Sequence, residues 1–293
     1  MSPAAIALIL TAAIAHASWN LLSKQASALA ATSFIWLVAV AGSIGYAPVA
    51  AVALAAGHPR LTAASWTFLA GTGLLQCGYF LFLQRGYQAG DLSLVYPLGR
   101  GTGALLAALA GLALFGERPG PAGLAGIALI IGGVLVISIP AGRGRPAAAA
   151  GPGPAVAVTF AAVTGMFIAS YTLWDKYAVS DLRTPALLQG YAAFPFMALA
   201  FAPLALRARP LTARVWRQYR PQVLGAAALA PLAYILVLIA LSFSAVSAVA
   251  PAREVSVLFG VLLGGRLLGE GSLARRLAGA AAIVAGIVAV AIG

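Results

Sequence analysis

Charged residues are scarce in this sequence: they make up 8% of its 293 residues, and only six of them are acidic. Soluble domains carry about 25% charged residues, so a chain folded with a water-exposed surface is excluded. Cysteine occurs once, as Cys77 in an apolar segment, and a single cysteine forms no intrachain disulfide. The histidines are His16 and His58 alone, and the apolar segments hold no pair of aspartates. We therefore expect neither an enzyme nor a metal centre.

Hydrophobic residues, by contrast, fill 62% of the chain and stand in long runs. A helix of roughly 20 apolar residues crosses the ~30 Å hydrocarbon core of a bilayer. We predict an all-α, multi-pass integral membrane protein, surrounded by the lipid bilayer of the cell (inner or plasma) membrane. Ten transmembrane helices are predicted near residues 3–23, 31–56, 64–85, 91–115, 121–140, 155–178, 185–206, 222–243, 245–268 and 273–292.

The net charge of +12 comes from basic residues scattered through the loops, the richest being 207–220, without a groove lined by aromatic residues. This distribution predicts no nucleic-acid partner. Lys and Arg of short loops accumulate on the cytoplasmic side of multi-pass proteins. Alternate loops hold twelve basic residues against four, so the larger set is predicted to be cytoplasmic and both termini to lie outside. The larger set is Lys24, Arg85, Arg143, Arg145, Arg207, Arg209, Arg214, Arg217, Arg220, Arg266, Arg275 and Arg276, and the smaller is Arg60, Arg118, Lys176 and Arg183.

The second half of the sequence repeats landmarks of the first. At a spacing of 155 positions the pairs are His16/Tyr171, Trp19/Trp174, Asn20/Asp175, Pro48/Pro203 and Tyr79/Tyr234, and Pro97/Pro251 and Glu117/Glu270 follow at 154 and 153. We predict a first five-helix repeat at 1–140, a Gly/Pro/Ala-rich linker at 141–154 and a second five-helix repeat at 155–293. Because each repeat has an odd number of helices, the two lie in the bilayer with inverted topology, as in many secondary transporters.

A polar stripe runs along the first predicted helix, formed by His16, Trp19, Asn20 and Lys24. Their spacing keeps them on one broad helical face, which must turn toward the bundle interior or water because hydrocarbon does not solvate it. We predict that His16, Trp19 and Asn20 line the substrate path. Alternatively, Trp19 and Lys24 are interfacial anchors and Asn20 makes a helix–helix hydrogen bond.

The matching stripe of the second half holds Tyr171, Trp174 and Asp175. We predict that Tyr171 and Trp174 contact substrate from the opposite side and that Asp175 serves in coupling. The alternative for Asp175 is a solvated surface pair with Lys176.

Arg100, the tenth residue of the fourth predicted helix, is the most informative single residue. A charge near the bilayer centre costs a few kcal/mol and is rarely without function. The corresponding part of the ninth predicted helix carries Arg253 and Glu254. We predict that both arginines bind an anionic group, whose oxygens suit the planar guanidinium fork, and that Glu254 couples transport to protons. The alternatives are a structural salt bridge of Glu254 with either arginine, or a shallower position of Arg100.

Tyrosines complete the predicted site. Tyr96 precedes Pro97, which interrupts its helix, and such interruptions are common at transporter sites. Tyr79 and Tyr234 could supply hydrogen bonds inside the site, together with Gln76 and Gln84. Glu117 and Glu270 stand at helix ends, where we expect structural caps. Small residues recur at Gly260/Gly264 and at Gly279/Gly286/Gly293, a spacing that serves either close packing within the bundle or a homodimer.

The whole pattern resembles the drug/metabolite transporter superfamily, in particular ten-helix proteins built from two EamA-type repeats. The resemblance is carried by Ala89-Gly90-Asp91-Leu92-Ser93, Tyr96-Pro97 and Phe115-Gly116-Glu117-Arg118, and in the second half by Ser244-Ala245-Val246-Ser247, Ala250-Pro251 and Leu268-Gly269-Glu270. It implies a transporter of small metabolites without a bound cofactor. The run from His16 to Lys24 is similar to a subgroup associated with phosphonate utilisation.

Together these features predict a secondary transporter, exporting or importing a small anionic or zwitterionic metabolite by alternating access. Transport would be coupled to protons or to exchange. The alternative is a flippase for a lipid carrier, in which the arginines hold a lipid phosphate and small residues line a lateral opening.

Overall fold

The computed structural model describes residues 3–27, 29–57, 61–115, 120–138, 154–180, 182–243, 255–268 and 273–292. These residues form ten helices and no strand. The helices are α1 (Pro3–Ser27), α2 (Ala31–Gly57), α3 (Ala63–Ala89), α4 (Leu92–Phe115), α5 (Pro121–Ser138), α6 (Pro154–Ser180), α7 (Ala186–Arg207), α8 (Arg209–Phe243), α9 (Ser256–Leu267) and α10 (Leu273–Ile292).

Six of these helices are long and apolar enough to span a membrane: α1, α2, α3, α6, α7 and α8. Large apolar side chains point outward from them, among them Leu199, which is 76% exposed, and Ile44, which is 70% exposed. Such a surface is stable in hydrocarbon and unfavourable in water. The predicted all-α integral membrane fold is confirmed.

Helix contacts between the two halves of the chain come in matched pairs. Helix α1 packs on α8 and α3 packs on α6, while α2 packs on α8 and α3 on α7. Exchange α1 with α6, α2 with α7, α3 with α8, α4 with α9 and α5 with α10. The contact of α1 with α8 then becomes that of α6 with α3, and the contact of α2 with α8 becomes that of α7 with α3. The contacts of α2 with α7 and of α5 with α10 map onto themselves under the same exchange. Two repeats related by a two-fold axis would produce this arrangement, and inverted topology predicts such an axis.

The basic segment 207–220 was predicted as a loop, and this prediction was wrong. Helix α8 begins at Arg209, and only Tyr219, with φ −122° and ψ 27°, leaves helical geometry. The break falls two residues before Pro221, whose ring disfavours helical backbone in front of it and removes a hydrogen-bond donor. Residues 209–218 therefore form a helical segment of their own, set off by a kink from the apolar remainder of α8.

Glycines let α5 and α10 approach with their backbones in contact. A Cβ atom added at Gly133 would lie 2.6 Å from the carbonyl oxygen of Gly279, and one at Gly286 would lie 2.6 Å from that of Gly126. Such separations are accessible only without side chains, the usual packing device of helices in lipid. Gly279 and Gly286 are thus covered by α5 within the same chain, and the homodimer stays a prediction.

We expect Gly133→Ala to destabilise the protein by about 1–3 kcal/mol, because the new methyl group overpacks the contact with α10. Gly132 is the matched control, since a Cβ there meets nothing within 4 Å. Gly132→Ala should be neutral or slightly stabilising, as alanine favours the helix by up to ~1 kcal/mol. Thermal unfolding in detergent, followed by tryptophan fluorescence, measures both variants. Equal unfolding temperatures would contradict the glycine contact.

Candidate functional site

Two small cavities lie side by side at the centre of the helix bundle. Their volumes are about 30 and about 50 Å³, and both are bordered by His16, Tyr171 and Tyr234. We call the pair the central cavity. The first part is also lined by Ala12, Ala13, Arg100, Ala233, Val237 and Ser256, and the second by Trp19, Gln76, Tyr79, Phe80, Gly190, Ala193, Phe194 and Ala230. Both halves of the chain therefore contribute to its wall.

The cationic end of the central cavity is built on α4 and α9. Arg100 lies there with 5% of its surface exposed. One turn earlier, the Tyr96 hydroxyl donates a hydrogen bond of 2.9 Å to Oγ of Ser256, which borders the cavity. The Tyr96 ring occupies the space that a side chain at position 260 would fill, so Gly260 is required for this contact between α4 and α9. Tyr96 itself supports the wall and does not border the cavity.

The other end of the central cavity is aromatic. The Trp19 and Phe80 ring centroids are 5.4 Å apart, and Tyr79 meets Tyr171 edge-on with centroids 5.6 Å apart. Pairs at these distances are favourable beyond the apolar area that they bury. Trp19 is buried, so it is not an interfacial anchor. The central cavity thus offers a guanidinium at one end and aromatic faces at the other, and the His16 imidazole borders both parts.

Asp175 lies behind the cavity wall in a network of hydrogen bonds, 3% exposed. Its Oδ1 accepts from the Thr72 hydroxyl at 2.5 Å and from Nε2 of Gln189 at 3.0 Å. Its Oδ2 accepts from the Tyr234 hydroxyl at 2.8 Å. No salt bridge to this carboxyl group is formed by the residues that the structure describes. Burial excludes the alternative of a solvated surface pair with Lys176.

Tyr234 connects the carboxyl group to the cavity. Its ring borders both parts of the central cavity, while its hydroxyl donates to Asp175. Thr72 and Gln189, the other two partners of Asp175, were not predicted. Each is a polar residue within an apolar helix, which could have marked it as a candidate. Threonine and glutamine also form hydrogen bonds between packed helices without contacting a ligand, so this feature is not specific.

Besides Tyr96, two predicted substrate-binding residues lie outside the cavity lining. Asn20 donates to the carbonyl oxygen of His16 at 2.7 Å and accepts from the Tyr87 hydroxyl, so its amide holds α1 against α3. This is the helix–helix hydrogen bond of the alternative interpretation. Trp174 stacks on Phe68 at 4.2 Å and donates to the carbonyl oxygen of the same residue.

Polar contacts hold α1, α3, α4 and α10 together at one end of the bundle. Lys24 donates to the carbonyl oxygens of Tyr87 and Gly90, where the negative end of the α3 dipole favours a cation. Arg276 pairs with Asp91 at 2.7 Å and also donates to Ser93. Arg276 had been assigned to a loop, so this link between the two halves was missed.

Several predicted positions lie outside the described residues. They are the substrate-binding candidate Arg253, the coupling candidate Glu254, and Pro251, Glu117, Arg118, Glu270 and positions 141–153 of the predicted linker. Among the residues that are described, no three His, Cys, Asp or Glu side chains are grouped to hold a metal ion.

Comparison with known proteins finds a family model that matches the first half of the chain. Residues 3–139 match the model of the EamA-like transporter family. This match confirms the predicted resemblance to EamA-type transporters, a family of membrane transporters, while the phosphonate-associated subgroup stays a prediction. The fold is similar to that of a protein with a solved crystal structure. The two align over 98% of this chain and 98% of the other, with a TM-score of 0.57 and 21% sequence identity. That likeness shows a shared fold. No curated protein matches the sequence.

We expect Asp175→Leu to destabilise the protein strongly. The substitution removes the acceptor that Thr72, Gln189 and Tyr234 share, and a buried polar group that loses its hydrogen bond costs about 1–3 kcal/mol. Asp175→Asn keeps an amide oxygen in place of Oδ1, so it should reduce the stability of the protein much less than Asp175→Leu does. Thermal unfolding of the two variants in detergent tests this difference, and similar unfolding temperatures would argue against the network.

Proposed function

We propose that this protein is a secondary transporter of a small anionic or zwitterionic metabolite, and that it works by alternating access. The observation that carries the proposal is Arg100, a buried guanidinium on the wall of a cavity shared by both halves of the chain. The planar guanidinium fork pairs well with carboxylate, phosphonate or phosphate oxygens, so an anionic ligand group that reaches the central cavity would bind to it.

The central cavity in this structure is too small to hold a metabolite. Cavities of about 30 and 50 Å³ have room for a few water molecules only, since each needs about 10–15 Å³. One end of the helix bundle is held together by the pair of Arg276 with Asp91 and by the hydrogen bonds of Lys24 to the carbonyl oxygens at the end of α3. Toward the other end, Phe68 stacks between Trp174 and Tyr177. A substrate enters when one of these sets separates, and it leaves when the opposite set does.

Asp175 is proposed to couple this movement to protons. Its three donors come from α3, α7 and α8, so opening of the bundle at this point removes hydrogen bonds that favour the carboxylate. Proton uptake and release at Asp175 would then follow the conformational cycle. Tyr234 would relay the change, because its ring borders the cavity. Glu254 is the second candidate for this role.

Substrate binding is tested by thermal-shift measurements of the purified protein in detergent against phosphonates, amino acids, organic acids and lipid phosphates. A ligand of the central cavity should stabilise the wild type and lose at least tenfold in affinity in Arg100→Gln. Arg85→Gln is the matched control, because Arg85 is exposed and lies over Phe82 outside the cavity. Arg253→Gln tests the second predicted arginine.

Anions that stabilise all of these variants equally would exclude the arginine site. Stabilisation by lipid phosphates alone would favour the flippase alternative.

Coupling is tested in proteoliposomes with the substrate that this screen identifies. Asp175→Asn should abolish accumulation driven by a pH gradient and retain exchange of labelled for unlabelled substrate, because exchange needs no net proton movement. Glu254→Gln is measured beside it. If Asp175→Asn still accumulates substrate in response to the pH gradient, Asp175 is not the coupling group.

A further inference from the structure

The first part of α8 has the composition of a helix that lies in the membrane interface. Residues 209–220 carry four arginines and no acidic residue, and Arg207 lies two positions before Arg209. The side chains of Thr212 and Val215 are buried against the bundle, whereas the arginines are exposed. The kink at Tyr219 separates this segment from the apolar part of α8. Helices with an arginine-rich polar face and an apolar, tryptophan-bearing face bind at the surface of anionic membranes.

A groove runs beside this segment, between α2, α7 and α8. Its volume is about 530 Å³, within the range of ligand pockets. Its walls are Trp36, Leu37, Val40, Ala41, Ile44, Ala205, Leu206, Arg209, Thr212, Ala213 and Trp216. The lining is apolar except for the indole nitrogens, Thr212 and Arg209. The Thr212 hydroxyl is already bonded to Ser33 and to the carbonyl oxygen of Ala205, both at 2.9 Å.

Arg209 is thus the charged group of this groove. Neither it nor the four other arginines of residues 207–220 forms a salt bridge within the described part of the chain. Arg220 lies over the ring of Trp216, with the guanidinium carbon 5.2 Å from the centroid, so this tryptophan stands between the groove and the basic face. The groove and the arginines therefore offer one ligand an apolar channel and a cationic end.

A phospholipid with a net negative charge has this combination of chemistry. The groove opens onto the lipid-facing surface, where Ile44 and Leu206 are exposed, so bilayer lipids reach it without crossing the protein. An acyl chain fits an apolar channel, and Lys or Arg near the membrane surface is attracted to anionic lipid headgroups. A zwitterionic lipid would bring an ammonium group close to the basic face, where like charges repel.

We propose that the groove between α2, α7 and α8 is a binding site for an anionic phospholipid. One acyl chain lies between Trp36 and Trp216, and the phosphate binds Arg209. The site shares no lining residue with the central cavity, so the lipid is a bound partner and not cargo. Because α2 belongs to the first half of the chain and α7 and α8 to the second, the lipid bridges the two halves. The proposal is independent of the transported substrate.

Native mass spectrometry of the full-length protein, loaded with phosphatidylglycerol or phosphatidylcholine in equal amounts, tests this site. The wild type should retain one phosphatidylglycerol per chain in preference to phosphatidylcholine. Arg209→Gln should reduce this retention at least tenfold. Ala213→Trp, which fills the groove from an exposed position and keeps the charge, should do the same. Arg217→Gln, an equal change of charge on the same helix outside the groove, should retain the lipid.

Three results would overturn the proposal. Equal losses in Arg209→Gln and Arg217→Gln would mean diffuse attraction to the basic face. Equal retention of both lipids would mean that charge is not recognised. A dimer that forms without bound lipid and dissociates in Ala213→Trp would mean that a second copy of the chain covers the groove. A near-native thermal unfolding profile in detergent verifies that each variant is folded.

Discussion

The burial of Asp175 is the constraint on which the centre of this protein depends. In an apolar bundle a carboxyl group must obtain its hydrogen bonds from the protein, since neither lipid nor bulk water supplies them. Thr72, Gln189 and Tyr234 do so from three different helices, so α3, α6, α7 and α8 meet at one side chain. The position of the Tyr234 ring, and through it the shape of the central cavity, follows from that arrangement. Asp175, Thr72, Gln189 and Tyr234 therefore determine both the hydrogen bonds of the buried carboxyl group and the position of the Tyr234 ring at the cavity.

A second polar centre lies at the C-terminal end of α3. Lys24 donates to carbonyl groups at the end of α3, and Arg276 joins α10 to the start of α4. These contacts are made by charged side chains, whereas the contacts of Phe68 with Trp174 and Tyr177 near the other end of α3 are aromatic. The two ends of α3 are therefore held by different kinds of interaction.

Much of this architecture could be predicted from the sequence, because hydrocarbon imposes simple demands. Run length and polarity predicted nearly all of the helices, and the spacing of His16 and Trp19 placed them on a face that borders the cavity. The partners of Asp175 could not be predicted, since a lone threonine or glutamine carries no sign of the helix that it will meet. Residues 207–220 were taken for a loop because the arginines and Pro210, with Pro221 directly after the segment, conceal a helical period. Whether substrate contacts the cavity residues stays a prediction.

The backbone contact between α5 and α10 has a consequence for how this protein diverges among its relatives. Positions 126, 133, 279 and 286 meet across it as glycines, with no room for a methyl group at Gly133 or Gly286. None of them borders the central cavity, so selection for a new cargo does not act on them directly. Substitution there is limited by geometry alone and is tolerated only if both helices shift together. In an alignment of relatives with different cargoes, this pair of helices will stay recognisable after the cavity residues have diverged.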